Sequence, residues 1–365
     1  MKKTKDKAGK NQPSLVQRML EKGSPLLAIR IGLGFFLLFF SLPSGESKWI
    51  SSCSAQDFQL SQYDAPPLFL NPAMTGMFDG KYRIHGHYRT QWAAVASKPF
   101  TTAGISFDMP VKKFGVGLQI MNYRAGAGSF NVSSALFSFG YDLVFDKENN
   151  HHLALGAQGG ILQKSVNVSA LTFGNQYIGA NGGSIDAGLA SGETFSNTSF
   201  TAEDINAGFL YYYAKEGSRL NPFIGLSAFH LTEPAETFLG GTNKLSMRYY
   251  IHGGTKININ EKIQLLPKFV YMTQSNNQSV TATLLLHYFM KDSETYLIFG
   301  PTYRTNDAAI IEAGIRKGNY TARVSYDFNT SSLNSVTGSR GGFEISLTYI
   351  ARRGKPNPLA NCPRL

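Results

Sequence analysis

The feature of this sequence that most constrains its fold is an alternation of apolar and polar residues with a period of two. In one segment the apolar positions are Tyr320, Ala322, Val324, Tyr326 and Phe328. The positions between them hold Asn319, Thr321, Arg323, Ser325 and Asp327. Because successive side chains of a β-strand point to opposite faces, this pattern predicts strands with one apolar and one polar face. We expect fourteen such strands, at 81–92, 100–109, 114–124, 130–145, 151–165, 202–214, 220–230, 245–259, 261–273, 277–290, 294–304, 307–317, 319–328 and 340–350.

The connections between these segments fall into two alternating groups. Every second connection is short and charged, for example 112–113 and 317–318. The long connections belong to the other group and cover 166–201, 231–244 and 329–339. Bacterial outer-membrane barrels have an even number of antiparallel strands, short periplasmic turns and longer outer loops. A half-solvated soluble sheet also alternates, but it gives no reason for this sorting of loops. The sequence therefore predicts an all-β fold, a transmembrane barrel of about fourteen strands in the outer membrane.

The composition agrees with strands that turn one face to lipid. Charged residues make up 16% of the chain and aromatic residues 13%, with 26 Phe and 18 Tyr. An average soluble domain has about 25% charged residues. A helical membrane protein would need several apolar runs of about 20 residues, which this chain lacks.

The first 55 residues have the organisation of an export signal. A basic stretch precedes an apolar run at 31–42, and small residues at 53–55 suggest cleavage before Gln56. Residues 50–53 also resemble a lipobox, which would place a lipid on Cys53 instead. Both alternatives stay open from the sequence.

Removing residues 1–55 changes the charge balance. This leader carries nine of the 35 Lys and Arg residues but three of the 24 Asp and Glu residues, which leaves 26 against 21. An excess this small, without a basic run, gives no basis for nucleic-acid binding. We expect an exported protein without a nucleic-acid partner.

The rest of the chain divides into three parts. Residues 56–80 form an N-terminal periplasmic or plug-like segment, 81–350 the barrel, and 351–365 a basic periplasmic tail. Asn-Pro is a turn-forming pair, so the first part either braces the lumen or docks a partner. The candidate partner-contact or structural residues are Gln62, Tyr63, Asn71, Pro72, Arg89, Trp92, Lys112 and Lys113.

Charged side chains on the polar strand faces form a candidate lumen network. Its members are Arg83, Asp108, Arg248, Lys256, Glu312, Arg316, Arg323, Asp327 and Glu344, and Arg89 and Arg304 lie on the same faces. Paired with one another, these groups would fill and stiffen a closed lumen. Arranged as a stripe, they would select anions in an open pore.

Motifs for catalysis or cofactor binding are missing from the sequence. There is no Gly-x-Ser-x-Gly nucleophile elbow and no phosphate-binding glycine loop followed by a helix. His85 and His87 have a spacing that suits metal ligands, but arginines flank them and no Cys or acidic residue accompanies them. We expect no cofactor, no metal site and no enzymatic activity.

Several motifs, in this order, resemble the PorP/SprF family of type IX secretion system outer-membrane proteins from Bacteroidetes. They are Leu68-Phe-Leu-Asn-Pro-Ala73-Met-Thr-Gly76, Tyr88-Arg-Thr-Gln-Trp92, Ser106-Phe-Asp-Met-Pro110, Asn221-Pro-Phe-Ile-Gly225, Gly300-Pro-Thr-Tyr-Arg304, Val324-Ser-Tyr-Asp-Phe328 and Cys362-Pro-Arg-Leu365. One departure is Met74-Thr75, where the family more often has a small or aromatic residue before the glycine.

The resemblance implies a role in the secretion or surface attachment of cargo proteins that carry type IX C-terminal domains. Some family members are linked to a gliding adhesin. The implied partners are outer-membrane lipid, the cargo domains, and the periplasmic peptidoglycan-binding and ring components of the system. The alternative reading is a porin-like barrel for passive or solute-specific diffusion.

Overall fold

The computed structural model describes residues 57–93, 98–126, 130–179, 183–215, 217–238, 240 and 243–352. The predicted signal peptide, the lipidation alternative at Cys53 and tail residues 353–365 lie outside the described residues. Among the described residues, no helix has the length and apolar character needed to cross a membrane.

A closed antiparallel barrel of fourteen strands forms the body of the protein, which confirms the predicted fold class. Each strand pairs with its neighbours in the chain, and the last strand pairs with the first. The strands are β1 (Tyr82–Gln91), β2 (Phe100–Val111), β3 (Phe114–Ala125), β4 (Phe130–Val144), β5 (His151–Ser165), β6 (Ser199–Tyr213), β7 (Leu220–Phe229), β8 (Arg248–Asn258), β9 (Ile263–Gln274), β10 (Asn277–Met290), β11 (Thr295–Arg304), β12 (Ala308–Lys317), β13 (Tyr320–Asn329) and β14 (Arg340–Ala351).

Two strand boundaries differ from the prediction by three residues, the others by two or fewer, and pairing explains the two larger differences. β6 begins at Ser199, three residues earlier than predicted. The reason is that β5 pairs with it along its whole length, as far as Ser165, which lies opposite Ser199. β8 begins three residues late because Leu245 instead donates its backbone N–H to the carbonyl of Pro234 at 2.9 Å. A short hairpin of Tyr177–Ile178 and Ser184–Ile185 within the longest loop was also not predicted.

The outer surface of the barrel is apolar, as a lipid-facing wall requires. Phe137 is 70% exposed and Phe299 is 57% exposed. At the end of the barrel with the short connections, called the short-turn end, Tyr320 and Tyr349 have ring centroids 4.9 Å apart, and Tyr82 lies beside them. Aromatic rings at the edge of an apolar band mark the membrane interface of outer-membrane barrels. The opposite end is called the long-loop end.

Residues 57–80, called the lumen segment, run through the inside of the barrel. Every residue from Leu60 to Phe78 is buried. The segment contains one turn of helix, α1 (Pro67–Leu70), and a 3-10 turn at Pro72–Met74. It begins among the wall residues of the long-loop end and ends at the short-turn end, where β1 starts. The main apolar core therefore lies inside the barrel, between this segment and the inner faces of the strands.

Candidate functional site

At the long-loop end, wall side chains hold the carboxylate of Asp57. Its Oδ2 accepts from Arg248 Nη1 at 2.9 Å and Gln274 Nε2 at 3.1 Å. His230 Nε2 lies 2.8 Å from the same oxygen, and its Nδ1 lies 3.0 Å from Asp204 Oδ1. Burial disfavours the charged imidazole, but the hydrogen bonds with Asp204 and Asp57 outweigh burial and raise the pKa of His230 above its ordinary value. This contact fixes the first described residue of the lumen segment to the wall.

Deeper in the lumen, Ser61 and Gln62 bind two buried carboxylates. The backbone N–H of Ser61 donates to Glu344 Oε2 at 2.8 Å, and that of Gln62 to Oε1 at 3.2 Å. Ser61 Oγ donates to Asp327 Oδ1 at 2.6 Å. Arg89 bridges the two carboxylates, at 2.8 Å from Asp327 and 3.1 Å from Glu344, and also contacts Ser61 Oγ. Each carboxylate is both charge-paired and hydrogen-bonded, as burial requires.

A second buried ion cluster surrounds Asp64. Its carboxylate forms a two-pronged pair with Arg323, at 2.8 and 3.1 Å, and contacts the Lys268 ammonium. Arg323 Nε also donates to Glu312 Oε1 at 2.6 Å. Two cations and two carboxylates thus share one site in which every charged side chain is buried. One of the four charges comes from the lumen segment, so the cluster is complete only when that segment is in place.

Farther along, residues 71–75 approach the wall at backbone distance. Five neighbouring strands, β3 to β7, present a glycine there: Gly115, Gly140, Gly156, Gly208 and Gly225. A Cβ on Gly156 would overlap the Pro72 backbone, and one on Gly115 would overlap the Thr75 carbonyl. These five glycines, called the glycine bed, leave space on the wall for the backbone of residues 71–75, and any larger side chain would occupy that space.

Asn71 fixes the turn in this glycine bed. Its Nδ2 donates to the backbone carbonyls of Phe209 at 2.9 Å and Leu226 at 3.2 Å, while its Oδ1 accepts from Ala73 N at 2.9 Å. These carbonyls belong to β6 and β7, so one side chain links the segment to two strands.

At the short-turn end, Arg83 and Asp108 complete the attachment. The two side chains are direct neighbours across β1 and β2 and form a two-pronged pair at 2.7 and 2.9 Å. Asp108 also accepts from Gly76 N at 2.8 Å, and Arg83 donates to the Met74 carbonyl at 3.2 Å. The guanidinium lies 4.6 Å from the ring centre of Phe78.

The structure brings most of the candidate lumen network together inside the barrel. The members that form the ion pairs just described are Arg83, Asp108, Arg248, Glu312, Arg323, Asp327 and Glu344. Arg304 joins Asp327 at 3.1 Å. Lys256 is buried on β8 in register with Asn221. Arg316 is half-buried near the short-turn end, 3.8 Å from the ring centre of Tyr296.

The candidate partner-contact or structural residues separate by exposure. Five of them are buried in the lumen: Gln62, Tyr63, Asn71, Pro72 and Arg89. Trp92 is half-buried at the long-loop end, where its ring packs edge-on against Phe100 at 4.7 Å. Lys112 and Lys113 are both exposed in a short turn. Of the eight candidates, Trp92, Lys112 and Lys113 are therefore the ones with surface that a macromolecular partner can reach.

Sequence reasoning missed several groups that hold the lumen segment: Asp57, Ser61, Asp64, His230 and Lys268. The sequence signal that could have identified these groups is the pair of acidic residues in the lumen segment. Asp57 and Asp64 stand before the first strand in a segment without lysine or arginine up to Lys81. A buried segment with unmatched acids needs basic partners from the wall.

The histidines of β1 also face the lumen. His85 and His87 are buried with ring centroids 5.5 Å apart, and His85 Nδ1 lies 2.9 Å from Thr348 Oγ1. Within the described ranges, no group of three His, Cys, Asp or Glu residues is arranged to hold a metal ion.

Solved structures similar to this chain include barrel proteins at low identity. The CymD monoaromatic hydrocarbon channel has a TM-score of 0.47 and 11% identity, with 79% of this chain and 93% of that chain covered. A Pseudomonas aeruginosa FadL homologue has a TM-score of 0.46 and 12% identity, with 79% and 94% covered. The Pseudomonas putida toluene transporter TodX has a TM-score of 0.40 and 10% identity, with 78% and 93% covered. No curated protein matches this chain.

A family model gives the more specific result. The model for the type IX secretion system membrane protein PorP/SprF matches residues 52–349, which is most of the chain. This match confirms the resemblance in the sequence motifs and, with the closed barrel, the outer-membrane location. The chain is a member of the PorP/SprF family of type IX secretion system membrane proteins.

Proposed function

We propose that this protein is a non-enzymatic component of the type IX secretion system that supports secretion or surface attachment of cargo. The cargo would carry type IX C-terminal domains, as a gliding adhesin or a similar surface protein does. The observation that carries the proposal is the filled lumen. Residues 57–80 occupy it along its length. The ion pair of Asp57 with Arg248 holds them at one end, and hydrogen bonds with the buried Arg83–Asp108 pair hold them at the other.

A filled lumen argues against the porin-like alternative. An open anion-selective pore needs cationic side chains along a water-filled path. Here Arg89 and Arg323 are buried and bound to carboxylates, one of which, Asp64, belongs to the lumen segment itself. The filled lumen therefore supports a function at the two ends of the barrel and not transport through its centre.

The direct test of the cargo role is deletion of the gene followed by a catalogue of surface proteins. We expect proteins with type IX C-terminal domains to disappear from the surface, or to appear in the medium if attachment is the lost step. If they remain secreted and attached, the proposal is wrong.

Complementation locates the outer contact. A variant whose long-loop residues 176–195 are replaced by a Gly/Ser linker of equal length should fold but fail to restore surface cargo. The matched control replaces 330–337, which lie in another long loop. Equal failure of both variants would argue against a specific cargo contact in 176–195.

Single-channel recording tests the diffusion alternative. Purified protein in a planar bilayer should give no steady ion current, because the lumen segment fills the path. A steady current from the intact chain, together with normal surface cargo in the deletion strain, would favour the porin-like alternative.

Inward coupling is assigned to the exposed turn of Lys112 and Lys113. The double charge reversal Lys112→Glu and Lys113→Glu should reduce association with periplasmic components of the system without changing the barrel. Lys244→Glu, at the long-loop end, is the control for altered surface charge. Unchanged co-purification of periplasmic components would exclude this turn as the contact.

A further inference from the structure

A cavity of about 520 Å3, called the outer vestibule, lies at the long-loop end of the barrel. Residues 57–59 of the lumen segment line it, together with the ends of β1, β2, β3, β10 and β11 and the turn at 305–307. Its volume falls within the roughly 300–1,000 Å3 of small-molecule binding sites. Because the short turns of outer-membrane barrels are periplasmic, this vestibule faces the outside of the cell.

Trp92 lines the outer vestibule in a strained backbone conformation. Its φ angle is 57°, in the left-handed region that bulky side chains rarely adopt. Its backbone N–H donates to the Gly341 carbonyl at 3.1 Å, and its indole packs edge-on against Phe100 at 4.7 Å. Backbone strain of this kind is concentrated where a side chain has to be held for binding. The strain therefore indicates that the position of the indole in the vestibule matters.

Further aromatic rings give the vestibule one apolar side. Phe58 and Tyr123 stack with ring centroids 5.1 Å apart, and Phe100 meets Tyr123 edge-on at 6.2 Å. These contacts join the lumen segment to β2 and β3, so the rings pack against one another without a ligand. Aromatic side chains fixed in this way offer apolar surface at a low cost in conformational entropy.

Primary amides dominate the polar part of the lining. They belong to Gln59, Gln91, Asn277, Gln278 and Asn306. Each amide has a carbonyl oxygen that accepts and an NH2 group that donates. A hydroxyl group also both donates and accepts, so amides can bond to the hydroxyls of a ligand in either direction.

The charged residues of the lining are already ion-paired. Among the described lining residues they are Asp57, Arg304 and Asp307. Asp57 pairs with Arg248 at 2.9 Å, and Arg304 pairs with Asp307 at 2.5 Å and with Asp327 at 3.1 Å. Each charge thus has an opposite charge beside it, which favours a neutral ligand over an ionic one.

We infer that the outer vestibule is a binding site for a neutral saccharide. The faces of a sugar ring carry C–H groups that pack on aromatic rings, and its edges carry hydroxyls that bond to amides. A purely apolar ligand would cover the amides without bonding to them. A peptide would add to the edge of a sheet, but the strands that line the vestibule pair on both sides in the closed barrel.

The saccharide is either a free oligosaccharide or a glycan of a cell-surface molecule, since both present the same groups. This site goes beyond the cargo role proposed above. Its test measures binding to the purified protein, so the two proposals can fail separately.

The first measurement uses Trp92 as its own reporter. The chain contains two tryptophans, Trp49 and Trp92, so a Trp49→Phe chain fluoresces from Trp92 alone. The full chain in a sugar-free detergent, lauryldimethylamine oxide, is titrated with maltohexaose, mannohexaose and chitohexaose. At least one should shift the Trp92 emission in a saturable way, and the open-chain polyol sorbitol should not.

A fourth probe separates the two sources. It is the polysaccharide released by mild acid from the lipopolysaccharide of the strain that carries the gene. Saturable binding of a hexasaccharide assigns the site to free oligosaccharides, and binding of the released polysaccharide alone assigns it to a surface glycan.

Glycine substitutions test the lining without disturbing the backbone. Trp92, Asn306 and Asn149 all have a left-handed φ angle, which glycine adopts freely. Measured by calorimetry, Trp92→Gly should weaken saccharide binding about tenfold through the lost ring contact. Asn306→Gly should weaken it about fivefold through the lost hydrogen bonds. Asn149→Gly, exposed in a short turn at the other end, is the matched control and should bind as the wild type does.

Two results would overturn the inference. One is that none of the four saccharides binds saturably to the wild-type chain, by calorimetry as well as by fluorescence of the Trp49→Phe chain. The other is that Trp92→Gly binds as tightly as Asn149→Gly. Calorimetry on the wild-type chain decides the first point without requiring any variant to fold.

Discussion

The two halves of the lumen segment are fixed to the wall by different physics. The first half, from Asp57 to Asp64, is held by charged side chains that reach the strands from β7 to β14. The second half, residues 71–75, lies on a bed of glycines from β3 to β7 and contacts the wall through its backbone. A segment that does not pair with a strand is thus held in the lumen in one of two ways. Either wall side chains bind it, or small wall residues let its backbone pack directly against the strands.

This difference has an energetic consequence. Removing one partner from a buried ion cluster leaves an uncompensated charge, which costs more than a moderate misfit in packing. We therefore expect the ionic half to be more sensitive to single substitutions than the glycine-bedded half.

The largest effect is expected for Asp64→Asn. This change leaves Lys268 and Arg323 with Glu312 as the remaining carboxylate of their cluster, and should lower the free energy of unfolding by about 3–5 kcal/mol. Asp292→Asn, in an exposed short turn, is the matched control and should have little effect. Urea unfolding of the purified barrel measures both. Equal stability of the two variants would mean that the ionic half does not depend on charge.

Gly156→Val should come next, with a loss of about 1–3 kcal/mol in the free energy of unfolding. The new side chain would overlap Pro72 and lift the turn from its bed. Gly86→Val is the control, because the nearest atom to a Cβ there is the Gly104 carbonyl oxygen at 3.8 Å. If Gly156→Val proves as costly as Asp64→Asn, the proposed ranking of the two halves fails.

A smaller effect is expected for Ser227→Ala. Its hydroxyl donates to the Leu70 carbonyl at 2.7 Å, and the loss of one neutral hydrogen bond should cost about 1 kcal/mol. Asn71 stays in place in this variant, so the glycine bed is loosened without being filled. A loss comparable to that of Gly156→Val would show that hydrogen bonding, not close packing, dominates this half.

The smallest effect is a pH dependence at the long-loop end. His230 faces Asp57, Asp204 and Arg248, and its pKa is raised in the folded protein. Its contribution to stability is complete below the unfolded pKa of about 6.5 and is lost as pH rises through the higher folded value. The stability difference between wild type and His230→Gln should therefore shrink as the pH rises above about 6.5. A difference that stays constant would assign His230 a packing role.

The sequence was a good guide to the wall and a poor guide to what fills it. Period-two alternation is local, so strands such as Tyr320–Asn329 could be recognised from their own residues. Four wall acids, among them Asp327 and Glu344, were recognised as inward-facing for the same reason. The lumen segment has no such period, and its acids acquire partners only through the closed barrel.

The glycine bed could not be predicted from the sequence for a related reason. A glycine in a strand can mark a bulge, a bend or a close approach, and the sequence does not distinguish them. Gly115 and Gly156 belong to different strands, and only the register of the barrel shows that they face the same turn. The charge partners Asp64 and Arg323 are 259 residues apart, which no local pattern connects.

The last strand, β14, also determines the order in which the molecule can be completed. Its backbone pairs with β1 from Tyr82 opposite Ala351 to Gln91 opposite Gly342, while its inner face supplies Glu344 and Ser346 to Gln62. The same twelve residues are therefore needed to close the barrel against β1 and to bind Gln62 of the lumen segment. An incomplete chain that ends before β14 would have an open edge and an unsecured interior together.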